Sequence, residues 1–314
     1  MTVREVEHEI TVEAPAAEVY RLIADVEIWP LVFPPSVLVE RVGHTGDEER
    51  IRIWATANGT AKNWTSRRVL DPEGLRIAFR QEVSAPPVAT MGGAWIAEPV
   101  TPDRTRLRLR HDYRAVGDDP AALEWIDEAV DRNSRAELAA LKSSAERAAG
   151  APELALTFED SVEIDGSAKD VYDFLAEADR WPDRLPHVAG VRLTEETPGL
   201  QVLRMDTLAK DGSAHTTESV RVCFPHHRIV YKQTTLPALM ALHTGCWELA
   251  EDDRGVTTAT SRHTVVVNTA AIGAVLGESA GVAEARAFLR DALGTNSRAT
   301  LSHARAYAEA RPRR

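Results

Sequence analysis

The sequence predicts an α+β fold that occurs twice, as two tandem domains that each wrap a curved antiparallel sheet around a long C-terminal helix. The chain has 314 residues, which suits two domains of ordinary size. A set of segments recurs at a constant spacing of 152 residues. Each copy reads as a strand, short helices, a run of strands and one long helix. Because one helix cannot fill the concave side of a many-stranded sheet, we expect an interior pocket in each domain.

The repeat extends without a gap over about a hundred residues. The matches include 12–20 with 164–172, Trp29-Pro30 with Trp181-Pro182, 76–81 with 228–233, Gly93-Ala94-Trp95 with Gly245-Cys246-Trp247, and Arg110-His111 with Arg262-His263. The spacing then changes, since Asn133-Ser134-Arg135 returns as Asn296-Ser297-Arg298, which places eleven extra residues around 268–281. A period of domain size indicates two copies of one fold and not a solenoid. We expect domains at 1–150 and 151–314.

The elements of one copy follow in order. Residues 6–12 alternate like a strand, and Pro15 stands where a first helical turn would begin. Trp29-Pro30 and the prolines at 34 and 35 break that helix and suggest a second, short one. Residues 37–114 read as successive strands, with polar turns at 43–49, 71–74 and 101–104. The last helix is expected over 121–148, on an apolar stripe of Ile126, Val130, Leu138 and Leu141.

Composition excludes several classes of function. The net charge of −11 argues against a nucleic-acid partner, because phosphate binding relies on basic surface. No apolar run approaches the ~20 residues that a membrane span requires, and the first residues lack the apolar region of a signal peptide. Cys223 and Cys246 have no metal or redox spacing. We expect a cytoplasmic protein that binds no metal and needs no cofactor.

Arg68 is the first candidate for a functional site. Side chains alternate along a strand, so Trp64, Ser66, Arg68 and Leu70 share one face, and the tryptophan and leucine make that face the expected interior. A buried guanidinium requires a partner, which here could be an acid, a set of carbonyls or a ligand. The alternative is an arginine at the rim of its strand.

Two further candidates lie on the last strand and the long helix. In 106–113 the apolar residues alternate with arginines, which points His111 and Tyr113 inward. On the helix, Asn133 and Glu137 lie four residues apart and are expected to continue the buried stripe. A lone inward histidine is usually a hydrogen-bonded core residue. Together with Arg68 and several tryptophans, these groups instead predict an apolar cleft with a few convergent polar side chains.

At this point the residues resemble a known family, the aromatase/cyclases of bacterial type II polyketide synthases, and the duplicated layout resembles its di-domain class. The motifs that carry the resemblance are Asn63-Trp64-Thr65-Ser66-Arg67-Arg68, Trp29-Pro30 with Phe33-Pro34-Pro35, His111-Asp112-Tyr113 and Arg132-Asn133-Ser134. The resemblance implies a helix-grip (START-like, Bet v 1-like) fold in each copy. It also implies a poly-β-ketone substrate on an acyl carrier protein, supplied with a ketosynthase and a ketoreductase as further partners.

The resemblance maps the catalytic group onto Arg68, His111 and Glu137, where closely related single-domain members carry aspartate in place of the glutamate. We expect substrate contacts from Trp29, Phe33, Trp64, Ser66, Trp95, Tyr113 and Asn133.

The expected reaction is an aldol closure of the first ring, of the C7–C12 type, followed by loss of water to an aromatic ring. Arg68 would hold a ketone oxygen and stabilise enolate charge. His111, titrating near neutrality, would move protons, with Glu137 or Asn133 orienting it. Two alternatives stay open: aromatisation alone of a ring already closed after ketoreduction, and a carrier of hydrophobic ligands without chemistry.

The second copy departs from the pattern of the first. With the constant spacing, Val220 takes the place of Arg68, Glu218 that of Ser66 and Thr216 that of Trp64, so Arg221 is expected to face away from the interior. The candidates for a C-terminal pocket are His263, Asp206, His187 and Trp247. This half either performs a different step, such as dehydration, or serves as a scaffold.

A docking surface for the acidic carrier protein is a further hypothesis. Arg106, Arg108 and Arg110 point outward by parity, and Arg67 lies at the rim. The alternative interpretation is a solvated strand face.

Overall fold

Two compact units make up the computed structural model, Met1–Pro152 and Glu153–Arg314. The structure describes residues 3–57, 60–208 and 214–312. Each unit contains a seven-stranded antiparallel sheet with the strand order 1-7-6-5-4-3-2. The first strand of each unit pairs with its last, and this brings the start of the domain beside the strand that precedes the long helix.

The N-terminal unit follows the predicted order of elements. Its strands are β1 (Arg4–Val12), β2 (Ser36–Thr45), β3 (Glu48–Ala57), β4 (Thr60–Asp71), β5 (Arg76–Gln81), β6 (Val88–Thr101) and β7 (Arg104–Ala115), and its helices are α1 (Ala16–Ala24), α2 (Trp29–Val32) and α3 (Pro120–Gly150). The α3 helix begins where the sequence favours a start, because Pro120 occupies its first turn and the Asp119 side chain accepts a hydrogen bond from the Ala121 amide. The inner face of the sheet and α3 bury Leu107, Leu109, Leu138 and Leu141 together.

The C-terminal unit repeats this arrangement. Its strands are β8 (Ala155–Ile164), β9 (Val188–Thr197), β10 (Leu200–Leu208), β11 (Ala214–Phe224), β12 (Arg228–Thr235), β13 (Met240–Glu251) and β14 (Thr257–Val267), and its helices are α4 (Ala168–Ala176), α5 (Trp181–Arg184), α6 (Ile272–Leu276) and α7 (Val282–Glu309). The α6 helix lies in the segment where the repeat predicted extra residues. No helix in the described parts of the chain is long and apolar enough to cross a membrane.

The strand register corrects the gapless alignment of the two copies. In the N-terminal sheet Arg68 pairs with Glu49 on one side and with Phe79 on the other. In the C-terminal sheet Arg221 pairs with Gln201 and Tyr231, the equivalents of those two residues. Strand β11 is therefore displaced by one residue from the spacing that its neighbours keep. A one-residue slip turns every side chain to the other face, so Arg221 faces inward and the assignment of Val220 to the place of Arg68 was wrong.

The same displacement corrects two other assignments. Ser219 and Thr217, both buried, occupy the places that correspond to Ser66 and Trp64. Glu218 and Thr216 lie on the opposite face of β11.

Gly93 marks a close approach between strands at the centre of the N-terminal sheet. A Cβ at this position would overlap the backbone carbonyl of Arg110 and lie 2.8 Å from the Phe79 ring. Since the carbonyl belongs to the sheet backbone and cannot move aside, we expect Gly93→Ala to lower the free energy of unfolding by about 3 kcal/mol, the cost of overpacking. Gly43→Ala is the control, because its Cβ would meet only Arg50 Cβ at 3.5 Å. Equal denaturation midpoints for the two variants would contradict this.

Candidate active site

Arg68 lies on the inner face of β4, as strand parity predicts, and only 2% of it is exposed. Its Nε donates to Glu49 Oε1 at 2.7 Å, and its Nη2 forms a further, shorter contact with the same oxygen. The two η nitrogens also donate to the carbonyls of Ile23 and Ala24 at the end of α1, each at 2.8 Å. Of the three partners left open by the sequence, the structure provides the acid and the carbonyls.

These contacts neutralise the guanidinium and use four of its five N–H groups. Burial lowers the pKa of Arg68, and the Glu49 carboxylate opposes that shift. Glu49 is itself buried and also accepts from Arg41 Nε at 2.6 Å. One N–H on Nη1 remains for a ligand, so Arg68 can position an oxygen but brings little unbalanced charge to it.

Glu49 was missed at the sequence level. The signal was available in the alternation of β3, where Glu49 shares a face with Ile51 and Ile53, both of them buried.

His111 also faces inward, from β7. It is half-buried, its ring lies edge-on to Phe79 at 5.5 Å, and its Nδ1 is 3.4 Å from the Ser134 hydroxyl. Burial, with a smaller contribution from His8, lowers the pKa of His111 to about 4. The expectation that it titrates near neutrality was therefore wrong: at neutral pH this imidazole is uncharged and can accept a proton.

The pKa of Glu137 is shifted in the opposite direction from that of His111. Burial raises the pKa of its carboxyl to about 7, and it has no hydrogen-bond or ion-pair partner among the residues that the structure describes. Part of its surface is nevertheless accessible to water. A raised carboxyl pKa that is caused by burial alone indicates that Glu137 lies among largely apolar neighbours.

The long helix presents Ser134, not Asn133, to the interior. Ser134 is almost fully buried, whereas Asn133 is exposed. At 3.6 residues per turn, Ser134 follows Ile126 and Val130 at steps of four, and Asn133 is rotated away from that line. The prediction that Asn133 continues the buried stripe and orients the histidine was wrong, and the residue beside His111 is the serine.

The aromatic candidates divide into two groups. Trp29 and Trp64 are half-buried, and the Arg68 guanidinium lies 5.2 Å from the centre of the Trp29 ring. The Trp29 indole N–H donates to the Ile23 carbonyl at 3.1 Å, which fixes the ring beside Arg68. Phe33 and Trp95 are buried in the hydrophobic core, with ring centres 6.0 Å apart. Trp29 and Trp64 are therefore better placed than Phe33 and Trp95 to contact a ligand.

Ser66 and Tyr113 are buried, as the inward parity of their strands predicts. The Tyr113 hydroxyl donates to Asp127 on α3, and Asp127 also pairs with Arg4 at 3.1 Å. Burial raises the pKa of Tyr113 above its ordinary value. This hydroxyl is committed to tying β7 to the helix.

A second histidine, His8, was not recognised from the sequence. It lies on the inner face of β1, diagonally across from His111, and its Nε2 is 2.9 Å from Asp131 on α3. Its Nδ1 is buried without a hydrogen-bond partner in the described part of the chain. The alternation of β1, in which Val6, His8 and Ile10 share a face, carried the signal.

In the C-terminal domain His263 belongs to a buried hydrogen-bonded group. Its Nδ1 is 2.9 Å from His243 Nε2 and 3.1 Å from the Tyr231 hydroxyl, and its Nε2 is 2.6 Å from the Ser297 hydroxyl. Burial lowers the pKa of His263 to about 4 and, with the nearby His263, that of His243 to about 3. Sequence reasoning found His263 but missed His243 and Tyr231.

The other C-terminal candidates lie elsewhere. Asp206 is exposed and accepts from the Thr216 hydroxyl at 2.5 Å, because it shares the outer face of β10 with Arg204. Trp247 is packed in the hydrophobic core. His187 is half-buried in the segment before β9, and burial lowers its pKa. The structure does not bring these three together with His263 in one polar group.

Comparison with known proteins identifies the family. The family described as polyketide cyclase/dehydrase and lipid transport matches residues 3–146 and again residues 155–309. The chain belongs to this family. The two matches correspond to the two copies of the fold.

Similar members of the family extend over the whole chain. A granaticin polyketide synthase bifunctional cyclase/dehydratase from Streptomyces virginiae is 54% identical over 303 residues, covering 95% of this chain and 98% of that protein. An actinorhodin polyketide synthase bifunctional cyclase/dehydratase from Streptomyces coelicolor is 47% identical over 311 residues, with 96% of each covered. The crystal structure of the di-domain aromatase/cyclase BexL from the BE-7585A biosynthetic pathway has 66% identity and a TM-score of 0.92, covering 98% of this chain and 100% of that one. The predicted resemblance and the predicted fold of two helix-grip domains are confirmed.

Proposed function

We propose that this polyketide cyclase/dehydratase closes the first ring of a poly-β-ketone by a C7–C12 aldol reaction and dehydrates the product to an aromatic ring, in the N-terminal domain. The observation that carries this proposal is the pair of inward groups on facing elements, His111 on β7 and Glu137 on α3, each with its pKa shifted by burial. Arg68, beside Trp29, faces inward from β4 of the same sheet. The cyclase/dehydratase names of similar proteins support the reaction class. The substrate is carried by an acyl carrier protein, and the reaction is a step in the biosynthesis of an aromatic polyketide antibiotic.

The protonation states of the two groups suit an aldol closure. Neutral His111 takes a proton from an acidic CH₂ between two carbonyls, and the resulting enolate carbon attacks a ketone carbon. The ketone oxygen becomes a hydroxyl by taking a proton from Glu137, which is largely protonated below pH 7. The remaining N–H of Arg68 donates to a substrate carbonyl and holds it in place.

Between the two steps the imidazolium of His111 returns its proton, through solvent, to the Glu137 carboxylate, which restores a neutral histidine and a protonated acid. Dehydration then uses the same groups in the same roles. Loss of a second proton to the imidazole and departure of the hydroxyl as water, with a proton from the carboxyl, leaves a double bond, and enolisation completes the aromatic ring. Trp29 and Trp64 would stack on the flat enolised chain and limit which carbons meet. An aromatase that acts only on a closed, ketoreduced ring would need the second half of this sequence alone. A carrier without chemistry would not need two buried ionisable groups.

The partners follow from the substrate. Similar proteins belong to polyketide synthases, so a ketosynthase and a ketoreductase act beside this chain, in the cytoplasm. Of the four arginines considered for carrier-protein docking, three are paired with acids: Arg67 with Glu82, Arg108 with Glu98 and Arg110 with Glu7. Docking on this face would have to compete with those pairs. Arg106, exposed and with no ion pair among the described residues, is the better candidate.

Replacing His111 by alanine tests the assignment. We expect the first-ring product of a reconstituted synthase to form about 100-fold more slowly, the usual contribution of a general base, while the uncyclised chain is diverted to shunt products. His44→Ala is the matched control, because His44 is exposed on β2. Product formed at the normal rate by the His111 variant, with its fold intact by circular dichroism, would remove the histidine from the mechanism and favour the carrier.

A further inference from the structure

Arg221 is the buried arginine of the C-terminal domain that occupies the place of Arg68. It is 2% exposed, and its Nη2 donates to the Leu175 carbonyl at the end of α4, at 2.6 Å. Its guanidinium lies 5.4 Å from the centre of the Trp181 ring, as that of Arg68 lies near Trp29. Each arginine thus lies near a tryptophan ring and donates to a carbonyl at the end of the first helix of its domain.

They differ in the counter-charge. The residue paired with Arg68 is Glu49, whereas the residue paired with Arg221 is Gln201. Nη1 of Arg221 is buried and has no hydrogen-bond partner in the described part of the chain. Glu195, the carboxylate that contributes to its electrostatics, is exposed and accepts from Gln201 at 2.8 Å, not from the guanidinium. A charge enclosed without a paired acid is destabilising, and an anionic ligand would offset that cost.

The groups around Arg221 suit an aromatic ligand. Tyr231 stands opposite it on β12 and is partly accessible to water, although burial raises the pKa of its hydroxyl. The Tyr231 hydroxyl lies 3.1 Å from His263 Nδ1 and is hydrogen-bonded to it. The Gln201 side-chain oxygen is a second buried polar atom without a hydrogen-bond partner among the described residues. It can accept from a hydroxyl.

We propose that the C-terminal domain holds a second ligand site, in which Arg221 binds the anionic oxygen of a planar phenolic or enolised molecule. Tyr231 contacts the flat ring system, and Gln201 accepts from a neighbouring hydroxyl. Such a molecule is an aromatic product or a late, enolised intermediate. This goes beyond the proposed function, and it does not depend on which domain closes the first ring.

Binding of 1-hydroxy-2-naphthoate to the full chain, measured by isothermal titration calorimetry, tests this site. We expect Gln201→Glu to weaken binding at least tenfold or to remove one equivalent of bound probe, because the new carboxylate pairs with Arg221 as Glu49 pairs with Arg68. Arg221→Met should have the same effect by removing the donor. Thr194→Glu adds the same charge at an exposed position on β9 and should leave binding unchanged. The neutral analogue 1-hydroxy-2-naphthamide should bind the wild type at least tenfold more weakly than the naphthoate.

Melting temperatures keep the outcome unambiguous. Gln201→Glu should melt no lower than the wild type, since it supplies the missing counter-charge, so loss of binding cannot then be ascribed to unfolding. Naphthoate binding that is unchanged in a folded Gln201→Glu variant would overturn the site. Absence of binding to the wild type would do the same, because the open positions on Arg221 and Gln201 would then be filled by water alone.

Discussion

Replacing Glu49 by alanine is expected to lower the free energy of unfolding of the N-terminal domain by about 4 kcal/mol, the cost of leaving one partner of a buried ion pair without the other. Glu49 contacts Arg68 and Arg41, and Arg68 is almost fully enclosed. The alanine variant would keep that guanidinium away from water with only backbone carbonyls as partners. Urea denaturation followed by circular dichroism measures the change. Glu48→Ala, on the same strand but exposed, should cost less than about 1 kcal/mol.

A double variant separates the charge from the packing. Glu49→Leu with Arg68→Leu removes both charges, and buried ion pairs replaced by apolar residues often lose little stability. We expect it to recover most of the 4 kcal/mol. If the double variant is as unstable as Glu49→Ala, the arginine stabilises α1 through its bonds to Ile23 and Ala24 and not through the ion pair.

The recovered variant would also define the role of Arg68 in the reaction. An arginine that is neutralised by Glu49 can contribute mainly position, through one N–H, and not a field for developing charge. A folded double variant with a small loss of rate would assign Arg68 to the structure, whereas a loss of 100-fold or more would assign it to the substrate.

The inward positions of Arg68 and His111 could be predicted from the sequence because strand parity is a local property. Each side chain needs only its own strand and a few apolar neighbours to choose a face. The partners of these groups depend on register between strands, which sequence alternation does not define. Glu49 lies opposite Arg68 only because β3 and β4 pair in one register.

Register also explains the error in the second copy. A gapless repeat of 152 residues was a sound assumption for β10 and β12, yet the strand between them is displaced by one residue. Since a one-residue change reverses the face of a strand, the prediction failed for the residue that matters most, Arg221. Alternation could not have corrected this error, because Val220, Arg221 and Val222 are all buried, and in a strand covered on both faces parity does not define which face is the interior.

The pKa values were beyond prediction from sequence, because they depend on enclosure. With ordinary pKa values, a histidine in slightly acidic solution would be protonated and a glutamate would be ionised. In the folded protein burial lowers the pKa of His111 and raises that of Glu137, so that in slightly acidic solution His111 is neutral and Glu137 is protonated.

Glu137→Gln is expected to raise stability at pH 8 while abolishing most of the activity. The pKa of Glu137 rises from 4.5 to about 7 on folding. A raised carboxyl pKa means that the folded protein holds its proton more tightly, so this stabilisation is complete below pH 4.5 and is lost as the pH rises through 7. The loss at pH 8 corresponds to about 3 kcal/mol. Glutamine is neutral at every pH, so the variant should match the wild type at pH 4.5 and exceed it at pH 8.

The same substitution should slow first-ring closure about 100-fold, since an amide cannot supply the proton that the ketone oxygen needs. In the wild type the rate should fall above pH 7, where the carboxyl ionises, and below pH 4, where His111 becomes protonated. The residual activity of Glu137→Gln should lose the fall above pH 7 and keep the one below pH 4. Thermal melts at pH 4.5 and pH 8, together with rate profiles that extend below pH 4 and above pH 7, provide the check. A variant with unchanged stability at pH 8 and an unaltered basic limb would mean that Glu137 is ionised in water, outside the site, and that another acid donates the proton.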